Sequence, residues 1–204
     1  MSKYELAKLR RHTERIRRRH EHLTSLHGKG LRDSLRAFDQ FLESLEAEDK
    51  TIQRSVRQLI SVRFFNHIYS ALVLIEAGLF SDATGCERAA LEAFAAFQLV
   101  SISPEYAETY QSEDFPKPVK VRIILEEKGF GLLAKQIQEL YTSASGILLV
   151  NRRHERFNVI WEENENGLLR YGGAESRADH EHMVRWLGTL VSWFLSIESQ
   201  RAGG

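Results

Sequence analysis

Apolar positions recur at helical spacing along most of the chain, and residues 66–103 are the densest apolar stretch. Two long apolar runs within it are separated by Ala77-Gly78, which predicts two antiparallel helices, here called the core hairpin. Gly78 is the predicted C-terminal cap of the first helix, and Ser81 or Asp82 is the predicted N-cap of the second. The pattern therefore predicts an all-α protein built around this hairpin.

Amphipathic spacing on both sides of the core hairpin predicts further helices. One follows the break at residues 28–30 and ends near residue 48, and a last helix runs from Arg177 or Asp179 to Ile197. Between them, at about 152–176, short β-prone runs flank a turn-rich stretch, which predicts a loop or a small β-hairpin. We expect one helical bundle over residues 31–200 that carries this insertion and is preceded by a basic helix at 1–30.

Charge is balanced over the whole chain, with 28 Lys/Arg and 28 Asp/Glu, but not locally. Residues 1–36 contain eleven basic and four acidic side chains, which leaves seventeen against twenty-four in the remainder. The basic segment either packs on the acidic body or binds a polyanion, nucleic acid above all. The predicted nucleic-acid contacts are Arg11, Arg15, Arg17, Arg18, Arg19, Arg152, Arg153 and Arg156.

The segment around the last three of these arginines also contains aromatic residues. Phe157, Trp161 and Tyr171 are interleaved with Arg170 and the other basic side chains. Such a mixture is typical of surfaces that stack and clamp a single strand of nucleic acid. The alternative is a loop whose aromatic rings pack on the bundle.

Neither a cofactor nor a metal is expected. The chain has no Gly-rich phosphate loop. Its two His-x-His pairs, His20/His22 and His180/His182, point about 200° apart on a helix and therefore chelate poorly. A single cysteine, Cys86, precludes an internal disulfide, and no uncharged apolar run reaches the roughly 18 residues of a membrane span. We therefore expect a cytoplasmic protein without membrane contact.

Polar residues interrupt one side of the second helix of the core hairpin. Arg88 and Glu92 are four residues apart, so they lie on one helix face and are expected to pair. Three roles are open for this pair: structural, interfacial or catalytic. A further alternative is that Thr84, Glu87 and the pair simply form the solvated side of an amphipathic helix.

A homodimer is expected from the amount of apolar surface. The faces of residues 89–100 and 186–197 are more apolar than one modest bundle would be expected to hide. Two-fold symmetry is the commonest way to cover such faces. The core hairpin is the predicted seam of that dimer.

The order of these features resembles an uncharacterised bacterial family of HEPN-like helical domains, named after the higher eukaryotes and prokaryotes nucleotide-binding domain. In that family a Tyr-x-x-x-Ser segment is followed four residues later by a histidine. Tyr141 and Ser145 match, but Leu149 occupies the third position, and His154 is the nearest substitute. The other residues that carry the resemblance are the apolar helix with its glycine break, Arg88 and Glu92, Pro104 to Tyr106, and the YGG turn at 171–173.

The resemblance also implies a possible chemistry. HEPN ribonucleases carry an Arg-x4-6-His motif near the start of a late helix and combine two such motifs in a dimer. Here Arg177 and His182 match that spacing. The histidine would move a proton between the 2′-hydroxyl and the leaving oxygen, and the arginine would stabilise the phosphorane charge. Because five helical residues turn the side chains by about 140°, Arg177 has to lie at the helix start.

These observations favour a non-catalytic interaction module that binds nucleic acid or a partner protein. The resemblance implies a bacterial phage-defence or toxin-type setting for such a module. Two alternatives remain. One is a metal-independent ribonuclease that uses Arg177 and His182, and the other is a structural subunit of a larger complex.

Overall fold

Helices make up nearly all of the described chain. The computed structural model describes residues 11, 14–19, 21–25, 28–46, 51–110, 112–148, 159–161, 167–169 and 177–202. Residues 11, 14–19 and 21–25 are helical and are called the N-terminal helical segment. The helices that follow are α1 (Lys29–Glu46), α2 (Ile52–Glu76), α3 (Phe80–Ile102), α4 (Glu105–Thr109), α5 (Pro118–Glu127), α6 (Gly131–Leu148) and α7 (Arg177–Ala202). The chain is thus an all-α bundle, as the periodicity predicts.

Two three-residue strands lie within the predicted insertion at 152–176. Strand β1 (Val159–Trp161) pairs antiparallel with β2 (Gly167–Leu169), and Ile160 stands opposite Leu168. The insertion's candidate nucleic-acid residues lie outside the described residues. These are Arg152, Arg153 and Arg156, together with His154, Phe157, Arg170 and Tyr171.

Local capping sets both ends of α2. The Thr51 hydroxyl accepts a hydrogen bond from the backbone N–H of Arg54 at 3.2 Å, which makes Thr51 the N-cap. At the other end, Gly78 has a φ of 74°, and its N–H donates to the Ile75 carbonyl at 2.9 Å. A side chain at this φ would be strained, so a glycine is favoured here. Ala77 is the C-cap, and Gly78 is the left-handed residue directly after it, so a glycine ends the helix as predicted.

Helix α3 begins earlier than the sequence predicts. Leu79 is the N-cap and Phe80 is the first helical residue, so the prediction of Ser81 or Asp82 as N-cap was wrong. The physical reason is tertiary packing: Phe80 is 1% exposed and is drawn into the core immediately after the turn. Asp82 instead lies in the first turn of α3, where its carboxylate is favoured by the helix dipole.

The middle of α3 is surrounded by other helices. Every residue from Ala93 to Val100 is buried, including the polar Gln98. Helix α2 packs along α3 as the other arm of the core hairpin, and α4, α5, α6 and α7 also contact α3. Helix α1 packs mainly on α7. A helix that is apolar nearly all round needs this arrangement, because any open side would leave apolar surface in water.

A cluster of phenylalanines joins four helices. The ring of Phe194 on α7 lies 4.7–5.7 Å, centroid to centroid, from five other rings. Helix α1 contributes two of the five, α2 contributes one and α3 contributes two. We call these six residues the phenylalanine cluster: Phe38, Phe41, Phe64, Phe94, Phe97 and Phe194.

The apolar faces that predicted a dimer are covered within one chain. Residues 93–100 are buried by neighbouring helices, and the inner face of α7 is buried with them. Covering these two faces therefore does not require a second chain. Tyr69 and Val73 of the core hairpin are nevertheless 58% and 47% exposed, so the core hairpin as the dimer seam stays a prediction. The homodimer itself stays a prediction.

Helix α2 is the one helix among the described residues that is long and apolar enough to cross a membrane. Only 33% of its apolar window is buried, but the helix is also an arm of the core hairpin and contributes Phe64 to the phenylalanine cluster. Core helices of water-soluble proteins meet the same criterion, so this is weak support for a membrane span. The expectation of no membrane contact stays a prediction.

Truncating Phe194 should test the phenylalanine cluster as the centre of the core. We expect Phe194→Ala to lower the free energy of unfolding by about 3–5 kcal/mol, because it removes a fully buried ring and leaves a cavity. Leu132→Ala is the control, since Leu132 is 74% exposed, and it should change stability by less than about 0.5 kcal/mol. Urea unfolding measures both. Equal losses in the two variants would contradict this account of the core.

Candidate functional site

The N-terminal helical segment is attached to the bundle along one side. Ile16 and Leu23 are buried, with 1% and 7% exposure. The Thr24 hydroxyl lies 3.1 Å from Nε2 of His180, which is fully buried in the first turns of α7. Thr24 also forms a side-chain hydrogen bond with Glu76 at the end of α2. Because a carboxylate only accepts, Thr24 donates to Glu76 and accepts from His180 Nε2–H.

The end of this segment is closed by backbone contacts with the start of α1. The Gly28 N–H donates to the Thr24 carbonyl at 2.7 Å. A Cβ at position 28 would lie 2.4 Å from that oxygen, so the close approach requires glycine. Arg32 donates to the Ser25 carbonyl at 3.3 Å. The basic segment therefore packs on the body, which is one of the two alternatives left open by its charge.

Three arginines of this segment lie on one exposed face. Arg11, Arg15 and Arg18 stand at i, i+4 and i+7, and together with Glu14 they line an open groove of about 570 Å³. We call the three the arginine face. Arg11 and Arg15 are exposed, and the Arg18 side chain keeps 75% of its surface in solvent. Arg17 and Arg19, the other two arginines predicted here, are exposed as well.

Acidic neighbours within the segment neutralise part of this charge. Arg17 donates to Glu14 Oε2 at 2.9 Å and also to Glu21, while Arg18 Nε donates to Glu14 Oε1 at 3.0 Å. The Arg17 bond, followed by the Arg18 bond, lowers the pKa of Glu14 to about 2, so this carboxylate stays charged. Arg17 also lies within electrostatic range of Glu76 on the body. The arginine face is therefore the outer part of the segment, and Arg17 lies on the side nearer the acidic residues.

The two residues of the ribonuclease hypothesis lie at the start of α7. Arg177 is the first residue of the helix, and both Arg177 and His182 are exposed. The histidine between them, His180, is instead buried and bonded to Thr24. Neighbouring Glu181 accepts from Arg185 at 2.6 Å.

The Arg88–Glu92 pair forms and extends onto two further helices. Arg88 Nε donates to Glu92 Oε1 at 3.3 Å, and the Tyr141 hydroxyl of α6 donates to the same oxygen at 3.1 Å. The guanidinium carbons of Arg88 and of Arg122 on α5 lie 4.6 and 4.7 Å from the centroid of the Tyr141 ring. We call these four residues the Tyr141 cluster. Burial, followed by the bond to Glu92, raises the pKa of the Tyr141 hydroxyl, so it keeps the proton that it donates.

The solvated-side alternative for α3 was wrong for two of its residues. Thr84 is fully buried and Glu87 is 3% exposed, because α3 is covered on the side that carries them. Trp186 of α7 makes a side-chain hydrogen bond to Glu87, and the indole N–H is the donor. Burial nevertheless raises the pKa of Glu87 to about 8. Glu87 is therefore largely protonated at neutral pH.

A second buried acid joins the core hairpin to the end of α7. Arg57 Nη2 of α2 donates to Glu198 Oε2 at 2.7 Å, and Gln98 Nε2 of α3 donates to Glu198 Oε1 at 3.4 Å. The Arg57 guanidinium also lies 4.9 Å from the centroid of Phe97. These contacts are structural, because they satisfy Glu198 with partners from two helices.

Metal ligands do not cluster in the described part of the chain. No group of three His, Cys, Asp or Glu side chains could hold an ion there. Comparisons with protein-family models, with curated proteins and with solved structures found no match to this chain. Interpretation of function therefore depends on the residues themselves.

Replacing Glu87 by glutamine should change how stability depends on pH. Because the pKa of Glu87 is raised from 4.5 to about 8, its neutral form favours the fold. That contribution is complete below pH 4.5 and is lost as the pH rises through 8. At about 1.4 kcal/mol per pKa unit, the full loss is on the order of 4–5 kcal/mol. Glu87→Gln cannot ionise, so we expect its unfolding free energy to fall much less between pH 5 and 8.5.

Chemical denaturation across this pH range measures the effect. Glu139→Gln, which removes an exposed carboxylate on α6, is the matched control and should keep the wild-type slope. A Glu87→Gln slope equal to that of the wild type would show that the buried carboxyl does not titrate in this way.

Proposed function

We propose that the protein is a non-catalytic interaction module of the cytoplasm that binds nucleic acid through the arginine face. The proposal rests on one observation: the N-terminal helical segment has one side packed on the bundle and another side exposed to solvent. Ile16, Leu23 and Thr24 attach one side to the bundle, while Arg11, Arg15 and Arg18 stand in solvent on another. A fixed row of cations is a better phosphate ligand than a mobile one, because less ordering entropy is lost on binding.

Spacing along the helix supports contact with phosphates. Residues at i, i+4 and i+7 follow one helix face over two turns, or about 10 Å. Arginine suits this role, because its planar fork donates two hydrogen bonds to one phosphate. The excess of acidic residues beyond residue 36 repels a polyanion, which confines binding to the basic surfaces.

The insertion belongs to the same proposal. Arg152, Arg153 and Arg156 would add phosphate contacts, and the neighbouring aromatic residues would favour a single strand. Single-stranded RNA is therefore the first probe, and duplex DNA of the same length is the comparison. The resemblance to HEPN-like domains makes a phage-defence or toxin-type system the setting that we propose.

Removing the arginine face should weaken binding and its salt dependence together. We expect the triple variant Arg11→Gln, Arg15→Gln, Arg18→Gln to bind a labelled single-stranded RNA at least about tenfold more weakly at 50 mM salt. Loss of three phosphate contacts should also flatten the plot of log affinity against log salt by about 2 units. Fluorescence anisotropy at several salt concentrations measures both quantities.

A second triple variant controls for net charge. Arg36→Gln, Lys120→Gln and Lys135→Gln remove three exposed cations from α1, α5 and α6. This control should bind nearly as well as the wild type. An equal loss in both triple variants, or no binding by the wild type at 50 mM salt, would count against the arginine face. In the second case a structural subunit of a larger complex is the better account.

The ribonuclease remains the second candidate, and one observation favours it. Arg177 is the first residue of α7, which is the location that convergence with His182 requires, and both side chains are accessible. If this candidate is right, expression should inhibit growth and purified protein should cleave RNA. Both effects should be lost in His182→Ala and kept in the triple variant Arg17→Ala, Arg18→Ala, Arg19→Ala. Binding without cleavage would exclude it.

A further inference from the structure

The Tyr141 cluster contains one arginine without an ion-pair partner among the described residues. Arg122 is 8% exposed, and the described structure gives its guanidinium no carboxylate and no hydrogen-bond acceptor. The guanidinium carbon instead lies 4.7 Å from the centroid of the Tyr141 ring. A cation over an aromatic ring gains about 0.5–2 kcal/mol, and no ion pair adds to this at Arg122. The guanidinium N–H groups are therefore accessible to a ligand.

Arg88 brings a second guanidinium to the same ring. Its carbon lies 4.6 Å from the Tyr141 centroid, and its side chain keeps 41% of its surface in solvent. Arg88 therefore connects the buried Arg122 to the surface of the bundle. Glu92 cannot neutralise both arginines. Its Oε1 already accepts from Arg88 and from Tyr141, and no bond joins it to Arg122.

Helix α2 adds to the positive charge on this side. Arg63 is exposed, and both Arg63 and Glu92 act electrostatically on His67, which is half-buried. Burial, followed by Arg63, lowers the pKa of His67, so the imidazole is neutral at pH 7. Its Nε2 is buried and has no hydrogen-bond partner among the described residues. Arg63 therefore adds positive charge near His67, whose Nε2 is a buried polar atom without a partner among the described residues.

We propose that Arg122, Arg88 and Tyr141 form a binding site for a phosphoryl dianion, supplied by inorganic phosphate or by a terminal phosphate monoester. A phosphoryl dianion has three terminal oxygens and can accept from both guanidinium groups, whereas a carboxylate or an internal phosphodiester has only two such oxygens. The guanidinium forks supply directed N–H donors, and the Tyr141 ring holds both in place from α6. This site shares no residue with the arginine face and does not depend on the proposed function.

Inorganic phosphate is the probe for the first experiment. The full-length protein is titrated with phosphate at constant ionic strength, and the melting temperature is followed. A ligand that binds only the folded state adds RT ln(1 + [L]/Kd) to the free energy of unfolding. We expect the melting temperature to rise with the logarithm of the phosphate concentration above the dissociation constant. A melting temperature that rises linearly with phosphate, and equally in every variant, would reflect a general effect of the salt on stability. That result would overturn the proposal.

The variant Arg122→Met tests whether Arg122 binds a ligand or only stabilises the fold. Methionine fills similar space without a charge, so without phosphate this variant should melt at the wild-type temperature or above it. Its melting temperature should no longer respond to phosphate. A variant that responds like the wild type would overturn the proposal. So would a variant that melts lower than the wild type without phosphate, because that result makes Arg122 a structural residue.

Arg88→Gln covers the case in which Arg122→Met does not fold. Arg88 lies at the surface, so the variant should fold, and its apparent affinity for phosphate should fall by about tenfold or more. Arg36→Gln removes one exposed charge elsewhere and should keep the wild-type response. Equal responses in Arg88→Gln and Arg36→Gln would overturn the proposal.

A competition experiment identifies the source of the phosphate. A short oligonucleotide with a 5′-phosphate is compared with the same oligonucleotide without it, each against inorganic phosphate. Competition by the 5′-phosphorylated form alone supports the end of a nucleic acid as the source. Saturation by inorganic phosphate with no competition from either form supports a small ion or monoester. Equal competition by both forms would overturn a site for terminal phosphate.

Discussion

The need to cover α3 on every side determines the arrangement of the bundle. Its residues from Ala93 to Val100 have no face that tolerates water, so neighbouring helices have to surround it. Helix α2 can cover only the side that the Gly78 turn allows. The remaining sides are left to α4, α5, α6 and α7, and each of these helices contacts α3. The positions of these helices, and so of the Tyr141 cluster, follow from this one requirement.

The polar residues of α3 make this cover specific. Apolar surfaces alone would let the surrounding helices slide or exchange places. Glu87 is hydrogen-bonded to Trp186, and Gln98 to Glu198, so α7 is held against α3 at two positions along its length. On another side, Glu92 is met by Tyr141 of α6. A polar group in the wrong register would be buried without a partner, which costs more than a lost apolar contact.

Sequence patterns predicted the features that neighbouring residues determine. They failed for features that depend on contacts between residues far apart in the chain. Periodicity and glycine predicted the core hairpin and the Gly78 cap, because both depend on neighbouring residues. The start of α3 was predicted wrongly because packing of Phe80 overrides the usual N-cap preference. The Arg88–Glu92 pair was visible as an i, i+4 spacing. Nothing in the spacing of Arg122 marks it as a neighbour of Tyr141, since only the packing of α5 on α6 brings them together.

Phe194 also sets an order of events for folding. The five rings that it contacts belong to α1, α2 and α3, all of them earlier in the chain. During synthesis those helices leave the ribosome well before α7 does, and until then their phenylalanines have no ring to close the cluster. The contacts of Phe194 are far apart in sequence, so they form late and require large loops to close first. The nascent chain therefore carries an incomplete apolar core for much of its synthesis, and transiently exposed apolar surface of this kind favours aggregation.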